Sequence, residues 1–433
     1  MITHRFRTVG HGRALLVALL VALMGCSSVT HSSSENSNQP TNTNTAMHEP
    51  SETQNANQVD KRLISANTAF GFHLFSEVAK GASDKNVFIS PASVGLALAM
   101  TYNGAVGETK LGMERALEIR GMNHLELNRA YAGLKAALES ADQKVQLSIA
   151  NSLWGKKGVT FNQDFIKRNK DFYGAEVTTL DFNDPSAPGT INSWVSDKTK
   201  GKIDKIVDRI DAQSILFLIN AIYFKGSWTA EFDKAKTKDE PFTLATGAKQ
   251  NRPMMHQNGD YRYLEGNGFQ AISLPYGSKR ISMYVFLPSQ SSSLAQFQKN
   301  LSPENWDQWM SQFGETKGEI GLPRFKVEYE VSLNDALKSL GMGTAFDADR
   351  ADFSGIVQGE ERAYISGVKH KTFAEVNEEG TEAAAVTSIE MRATSAMIPK
   401  KPFRMIVDRP FFCAIRDNTT GEILFMGSIN NPS

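Results

Sequence analysis

The sequence predicts an α+β fold, with helices mostly in the first part of the folded domain and strands mostly in the later part. Residues 66–75 and 125–138 carry apolar side chains at helical spacing. Residues 215–219 are apolar throughout, and residues 281–287 form a similar run. A chain of 433 residues with 41% hydrophobic composition can also bury a large core. These observations favour helices packed on large mixed or antiparallel sheets.

The early helices carry boundary signals. Ser90 followed by Pro91 is typical of a helix start, because a Ser side chain caps the first turn and Pro fits within it. We expect this helix to run toward Tyr102 and to stop near Gly104.

The strands are predicted from apolar runs and turn residues. Residues 145–154 alternate imperfectly, and residues 215–219 are typical of a central strand covered on both faces. The run at 281–287 ends at Pro288. Residues 405–415 and 422–429 flank a polar, glycine-containing turn, so we predict a buried C-terminal hairpin.

The N-terminal 60 residues do not have the pattern of a folded domain. An apolar run at 14–24, preceded by arginines, is too short to span a membrane and ends before Gly25 and Cys26. This pattern resembles a bacterial lipoprotein signal, and an ordinary secretory signal is the alternative. We therefore expect a signal peptide at 1–25, a disordered tether at 26–60 rich in Ser, Asn, Thr and Gln, and one domain at 61–433.

The lipoprotein resemblance implies a cellular location. Cys26 would be lipidated after secretion across the inner membrane and would become the mature N-terminus. Ser27 follows it, so the resemblance gives no Asp that would retain the protein at the inner membrane. We expect a lipid anchor in the cell envelope, at the outer membrane and cell surface where the organism has an outer membrane.

Composition argues against several functions. Lys+Arg and Asp+Glu number 47 each, so the net charge is zero and a general nucleic-acid binder is not predicted. The two cysteines, Cys26 and Cys413, lie in very different surroundings, so we expect no internal disulfide. Cys413 lies in an apolar run and is predicted to be a buried structural thiol.

A search for catalytic motifs returns nothing. The domain histidines are His73, His124, His256 and His370, and none has a metal-ligand partner at useful spacing. The sequence has no nucleophile elbow, phosphate-binding glycine loop or zinc-type cysteine pair. We therefore predict no enzyme activity, no metal and no cofactor.

Residues 378–391 (EEGTEAAAVTSIEM) combine the signals of two structures. The three alanines behind Thr381 and Glu382 favour a helix start, whereas the residue parity favours a strand with one buried face. The small or apolar odd positions are Thr381, Ala383, Ala385, Thr387, Ile389 and Met391, and the even positions are polar except Ala384 and Val386. A segment with two plausible conformations is a candidate for conformational change.

This segment resembles the hinge of the serpins, the serine protease inhibitor fold. Residues 86–93 (NVFISPAS), 220–228 (NAIYFKGSW), 406–412 (IVDRPFF) and 421–427 (GEILFMG) resemble further sequence blocks of that family. The resemblance covers about residues 61–432 and implies one domain of three β-sheets, eight or nine helices and an exposed reactive-centre loop. It implies the hinge residues Glu378, Gly380, Thr381, Glu382, Ala383, Ala384, Ala385 and Thr387.

The resemblance also implies a mechanism. A protease cleaves the loop and forms an acyl-enzyme, and the cleaved loop then inserts as a new strand into the central sheet, which traps the protease. Insertion requires the odd-numbered side chains to enter the interior, where a charge would cost several kcal/mol. The residues present can be buried, and 14 residues from Thr381 to Thr394 would span about 46 Å. We therefore favour an inhibitor.

The scissile bond follows from the family's spacing, which places it sixteen residues after Glu378, at Thr394–Ser395. A small β-branched residue suits elastase-like or subtilisin-like proteases. The alternatives stay open, because Arg392 would suit trypsin-like enzymes and Met391 or Met397 chymotrypsin-like ones.

The resemblance further implies a cluster that controls sheet opening, formed by Ser93, Asn220 and His370, with Trp228 where the hinge enters. Ser93 shares a helix face with Ala97 and Met100, so we expect it to point inward. Three ordinary buried polar residues are the alternative interpretation, with Trp228 as an ordinary core aromatic.

The sequence thus predicts a lipid-anchored, monomeric suicide inhibitor of serine proteases, with cysteine proteases as a second class of target. A non-inhibitory surface binding protein on the same fold is the alternative.

Overall fold

Two large sheets and a short ribbon form the framework of the part of the chain that the computed structural model describes. That part comprises residues 59–82, 84–211, 214–359, 362–381 and 401–433, and all of it belongs to one compact unit. The helices are α1 Lys61–Ala79, α2 Pro91–Tyr102, α3 Gly107–Ala116, α4 His124–Glu139, α5 Gln163–Tyr173, α6 Ala187–Lys198, α7 Leu294–Gln298, α8 Pro303–Gln312 and α9 Asn334–Leu337.

The strands up to the chain's midpoint are β1 Val87–Ile89, β2 Val145–Lys156, β3 Thr160–Phe161, β4 Glu176–Leu180, β5 Leu216–Ser227, β6 Lys238–Thr243 and β7 Lys249–Gly266. The later strands are β8 Phe269–Pro275, β9 Ile281–Pro288, β10 Gly314–Pro323, β11 Phe325–Ser332, β12 Val357–Gln358, β13 Ile365–Asn377, β14 Gly380–Thr381, β15 Phe403–Ile406, β16 Phe411–Asp417 and β17 Ile423–Ile429.

The six-stranded sheet has the order β11–β13–β14–β5–β2–β4. Its middle strands, β13 and β5, are parallel and pair directly from Ile365 opposite Leu216 to Phe373 opposite Tyr223. Beyond that point the two-residue strand β14 lies between them and pairs antiparallel with both. The sheet is therefore closed along most of its length and holds an extra strand at one end.

Strand β5 is buried on both faces, as its unbroken apolar run predicts. One face, with Leu218, Ile222 and Phe224, belongs to the main core beneath the sheet. The other face, with Phe217, Ile219, Ala221 and Tyr223, packs in a second core that includes residues of helix α6. Helix α6 therefore covers the outer face of the sheet.

The nine-stranded sheet has the order β1–β17–β16–β9–β8–β7–β10–β15, with β6 also on β7. Strand β15 is its edge among the described residues and pairs in parallel with β10 alone. The third sheet is the ribbon of β3 and β12. The described residues thus form nine α-helices and three sheets, which confirms the predicted fold.

Capping side chains mark the starts of two early helices, and the first of these starts is the one that the sequence predicts. Helix α2 starts at Pro91, with the Ser90 side chain accepting from the Ser93 N–H, and all of its residues are buried. Helix α4 begins with a capping box in which Asn123 and Glu126 satisfy each other's backbone N–H groups.

No described helix combines the length and apolar character needed to cross a membrane.

The predicted C-terminal hairpin is confirmed only for β16 and β17, which pair antiparallel. The sequence predicted one strand over residues 405–415, and this prediction is wrong. Strand β15 ends at Ile406, and β16 starts at Phe411 after Pro410, which lacks the N–H that a continuous ladder requires. The two strands lie at different places in the nine-stranded sheet.

Candidate functional site

The first residues of the hinge lie inside the six-stranded sheet. Strand β13 ends at Asn377, whose side-chain oxygen accepts hydrogen bonds from the N–H groups of Glu379 (3.0 Å) and Gly380 (3.2 Å). This turn sends the chain back between β13 and β5. Gly380 then pairs with Ser227 of β5, and Thr381 pairs with Gly226 of β5 and Val376 of β13.

The entry point requires glycine at position 380. The Gly380 φ angle is +144°, and a Cβ there would lie 2.2 Å from the carbonyl oxygen of Gly226. A real Cβ cannot approach a backbone oxygen that closely. The hinge glycine therefore allows the chain to pass against β5.

Glu378 is a buried charge held by two partners. Its side chain is 2% exposed and accepts hydrogen bonds from the Arg324 guanidinium, with Nε at 2.7 Å, and from the Thr237 hydroxyl. Burial alone would raise the pKa of Glu378, but these hydrogen bonds outweigh it and hold the pKa below its ordinary value. The carboxylate therefore ties the hinge to the residue between β10 and β11 and to the residue just before β6.

Backbone and aromatic contacts fix the same turn. The Trp228 N–H donates to the Glu379 carbonyl (3.0 Å), and its indole Nε1–H donates to the Asn377 carbonyl (2.9 Å). Its ring stacks on Tyr276 with centroids 4.4 Å apart and planes at 10°. The Tyr276 hydroxyl lies 2.9 Å from the Thr381 hydroxyl, and both residues are fully buried.

Deeper in the sheet, Asn220 and His370 face each other across β5 and β13. The Ser90 N–H donates to His370 Nε2 (3.1 Å), so Nε2 is an acceptor and Nδ1–H donates to the Asn220 side-chain oxygen. The Asn220 amide donates to the Ser93 carbonyl (3.0 Å) and to Asn151, and the Ser93 hydroxyl is also within reach. The hydrogen bonds link helix α2 to the three strands β2, β5 and β13.

His370 is neutral in this cluster. It is fully buried, and burial lowers its pKa to about 3 despite the hydrogen bond to Asn220. Protonation would also cost Nε2 its role as acceptor from Ser90. The cluster therefore needs an uncharged imidazole.

The structure brings Ser93, Asn220 and His370 together, and it places Trp228 separately at the hinge. Whether the cluster controls sheet opening stays a prediction. Glu378, Gly380 and Thr381 lie as described above. The remaining predicted site residues lie outside the described residues: Cys26, Glu382, Ala383, Ala384, Ala385, Thr387, Met391, Arg392, Thr394, Ser395 and Met397.

Sequence reasoning assigned no role to Tyr276, Arg324 or Thr237. Tyr276 ends the short run Leu274-Pro275-Tyr276, in which nothing indicates a contact with the hinge. Arg324 directly follows Pro323 between two strands, and nothing in its local pattern pairs it with a glutamate 54 residues away. These partners become visible only when the strands are assembled.

Comparison with known proteins identifies the family. The family model for serpins (serine protease inhibitors) matches residues 65–432, so the chain belongs to the serpin family. The human leukocyte elastase inhibitor is 34% identical, covering 86% of this chain and all of that protein. Many members are protease inhibitors, and serpins are generally inhibitors or binding proteins rather than catalysts.

Two solved structures of serpins are similar to the described part of the chain. The thermophilic serpin tengpin in its native state has a TM-score of 0.80 and 35% identity, over 86% of this chain and 95% of that chain. Human thyroxine-binding globulin in complex with its ligand has a TM-score of 0.78 and 28% identity, over 86% and 99%.

Proposed function

We propose that this protein is a suicide-substrate inhibitor of serine proteases, with cysteine proteases as a second class of target. The observation that carries the proposal is the position of β14. Its two residues already occupy the space between β5 and β13 and pair with both strands. A loop that continues along this path becomes a full strand of the central sheet.

The register of β14 specifies where the following residues would lie. Because Thr381 pairs with Gly226 and the strand is antiparallel to β5, Ala383 would pair with Phe224 and Ala385 with Ile222. Both partners face the main core, so the small odd-numbered side chains would enter it. A strand of this composition can be buried there at modest cost.

The same register supports a role for the inner polar cluster. Thr387 would arrive opposite Asn220 on β5 and opposite His370 on β13, the two residues that bond to each other in the closed sheet. Insertion would separate them, and the Thr387 hydroxyl can donate and accept a hydrogen bond in the gap. This register supports the interpretation that the cluster of Ser93, Asn220 and His370 controls sheet opening.

The reaction tests the proposal directly. The domain is incubated with elastase, subtilisin and trypsin and then boiled in SDS. We expect a covalent band of inhibitor plus protease, strongest with elastase or subtilisin because Thr394 precedes the proposed bond. Mass spectrometry of the released C-terminal peptide should find Ser395 at its start, and cleavage without any covalent band would sink the proposal.

Two neighbouring substitutions provide a matched control. Ala383→Arg would place a charge toward the main core, whereas Glu382→Gln would change a side chain on the other face, opposite the half-buried Lys225. We expect Ala383→Arg to be cleaved as a simple substrate and Glu382→Gln to keep forming the covalent complex. Equal behaviour of the two variants would contradict insertion along this register.

A non-inhibitory binding protein is the competing function, and it predicts clean cleavage of all variants.

We further propose that the protein is a monomer anchored by a lipid on Cys26 at the cell surface, as the leader sequence indicates. Cys26→Ser should release the protein from the membrane fraction. Retention of that variant would contradict the lipid anchor.

A further inference from the structure

Tyr276 is a fixed, fully buried residue that contacts the hinge through its hydroxyl. It follows β8, and its backbone N–H donates to the Ile281 carbonyl (2.8 Å) while its backbone forms an isolated bridge with Trp228. Its ring lies against Trp228 on one side and meets Phe224 edge-on with centroids 5.1 Å apart. The hydroxyl therefore has a set position that does not depend on the loop.

The hydroxyl pair of Tyr276 and Thr381 is isolated from water. Thr381 has no exposed surface, and the two oxygen atoms are 2.9 Å apart. Burial raises the pKa of Tyr276 well above its ordinary value, so the phenol keeps its proton. Either hydroxyl can donate to the other, and removing one leaves the other without this partner.

We propose that Tyr276 is a positioning residue that holds the hinge inside the sheet before any protease arrives. Tyr276 binds the side chain of Thr381. This contact keeps in place the first residues of the strand whose insertion the proposed function requires. This role rests on the proposed function. Docking of the hinge affects the fraction of cleavage events that end in a trapped protease, and it does not affect the rate at which the loop is cleaved. A hinge that starts undocked inserts later, and the acyl-enzyme has more time to hydrolyse.

Hydrogen–deuterium exchange tests the docking without a protease. The exchange of peptides covering 378–381 is compared in wild type, Tyr276→Phe, Thr381→Val and the double variant. Both single substitutions keep the shape of the side chain and remove the hydroxyl. We expect each to speed exchange of the Gly380 and Thr381 amides by at least about tenfold, with no further gain in the double variant, because they break one shared contact.

A second tyrosine provides the control. Tyr284 is also buried, and its hydroxyl donates to Asn418 (2.7 Å), which is not part of the hinge. Tyr284→Phe should leave exchange at 378–381 unchanged. Wild-type exchange in Tyr276→Phe, or additive effects in the double variant, would overturn the proposal.

With a protease that the wild type traps, Tyr276→Phe should raise the number of inhibitor molecules consumed per protease several-fold while the rate of loop cleavage stays the same. An unchanged number of inhibitor molecules consumed per protease would contradict the role of Tyr276 in trapping. If the wild type traps no protease, the proposed function fails, and the exchange experiment still decides whether Tyr276 docks the hinge.

Discussion

Individual buried polar residues carry the hydrogen-bonding arrangement on which sheet opening would act. His370 is the most constrained of them, because Ser90 needs its Nε2 as an acceptor and Asn220 needs its Nδ1–H as a donor. Only the neutral imidazole satisfies both partners. This side chain should therefore make the folded state lose stability as the pH falls.

The expected pH effect has a definite sign. The pKa of His370 is about 3 in the folded protein, against about 6.5 in the unfolded chain. As pH falls below about 6.5, the unfolded state gains a proton that the folded state does not, so the folded state loses stability until about pH 3. From about pH 7.5 to about pH 5 this one group should remove about 2 kcal/mol.

Urea unfolding of wild type and His370→Asn at the two pH values measures this effect. The variant should be less stable near neutral pH, since it loses the imidazole contacts, and this deficit relative to wild type should shrink by about 2 kcal/mol between about pH 7.5 and about pH 5. Parallel pH dependence of the two proteins would show that His370 does not carry the effect.

Some of the site's residues could be predicted from sequence and others could not. Ser93 was expected to point inward because it shares a helix face with Ala97 and Met100, and it is fully buried against Asn220. Tyr276 and Arg324 have no such local signal. Their function depends on strand pairing between residues more than 50 positions apart.

At the scale of elements, the alternation of residues 381–391 reflects two different coverings of the central sheet. Ala384 and Val386 break the alternation with non-polar side chains at even positions. In the register of β14 they would lie opposite Tyr223 and Ala221, which belong to the second core that helix α6 helps to form. The exceptions therefore fit a strand that is covered on both faces along its middle, which a period of two alone does not show.

Strand β15 is the element that would hold the other end of the proposed reactive loop. It is a four-residue edge strand, and among the described residues it pairs only with β10. Phe403 fastens it: its ring stacks on Tyr263 with centroids 4.0 Å apart and covers Gly318, where a Cβ would lie 2.2 Å from the ring. Loss of this ring should free β15 and lengthen the loop.

Phe403→Ala should therefore lose inhibitory activity during storage, because a longer loop can enter the sheet without being cleaved. Truncating a buried Phe costs about 3 kcal/mol or more, so we expect the half-life of inhibition to shorten by at least about tenfold. Residual inhibition is followed over time at constant temperature. Arg404→Ala is the control, because Arg404 is exposed and its ion pair with Glu319 (3.1 Å) contributes little. Equal half-lives of wild type and Phe403→Ala would contradict this role of Phe403.

At the scale of the whole molecule, the lengths of the strands match the proposed insertion. Strand β5 runs from Leu216 to Ser227, and in the register of β14 these ends face Met391 and Gly380. The proposed cleavage after Thr394 leaves enough chain to cover β5 completely. The closed sheet joins β5 and β13 through one parallel ladder of eight residue pairs, which insertion would replace with two antiparallel ladders.

Cleaved protein should therefore be much more heat-stable than intact protein. Each added backbone hydrogen bond contributes about 1 kcal/mol, and the new strand pairs on both sides, so we expect the melting temperature to rise by at least about 10 °C. The loop is cut with a protease that does not form a complex, and both forms are melted under the same conditions. Ala383→Arg, cut in the same way, should show little or no rise, because its charge would have to enter the main core. If cleaved and intact wild-type protein have the same melting temperature, the loop stays outside the sheet. The strand β14 would then be a fixed two-residue strand that cleavage does not extend.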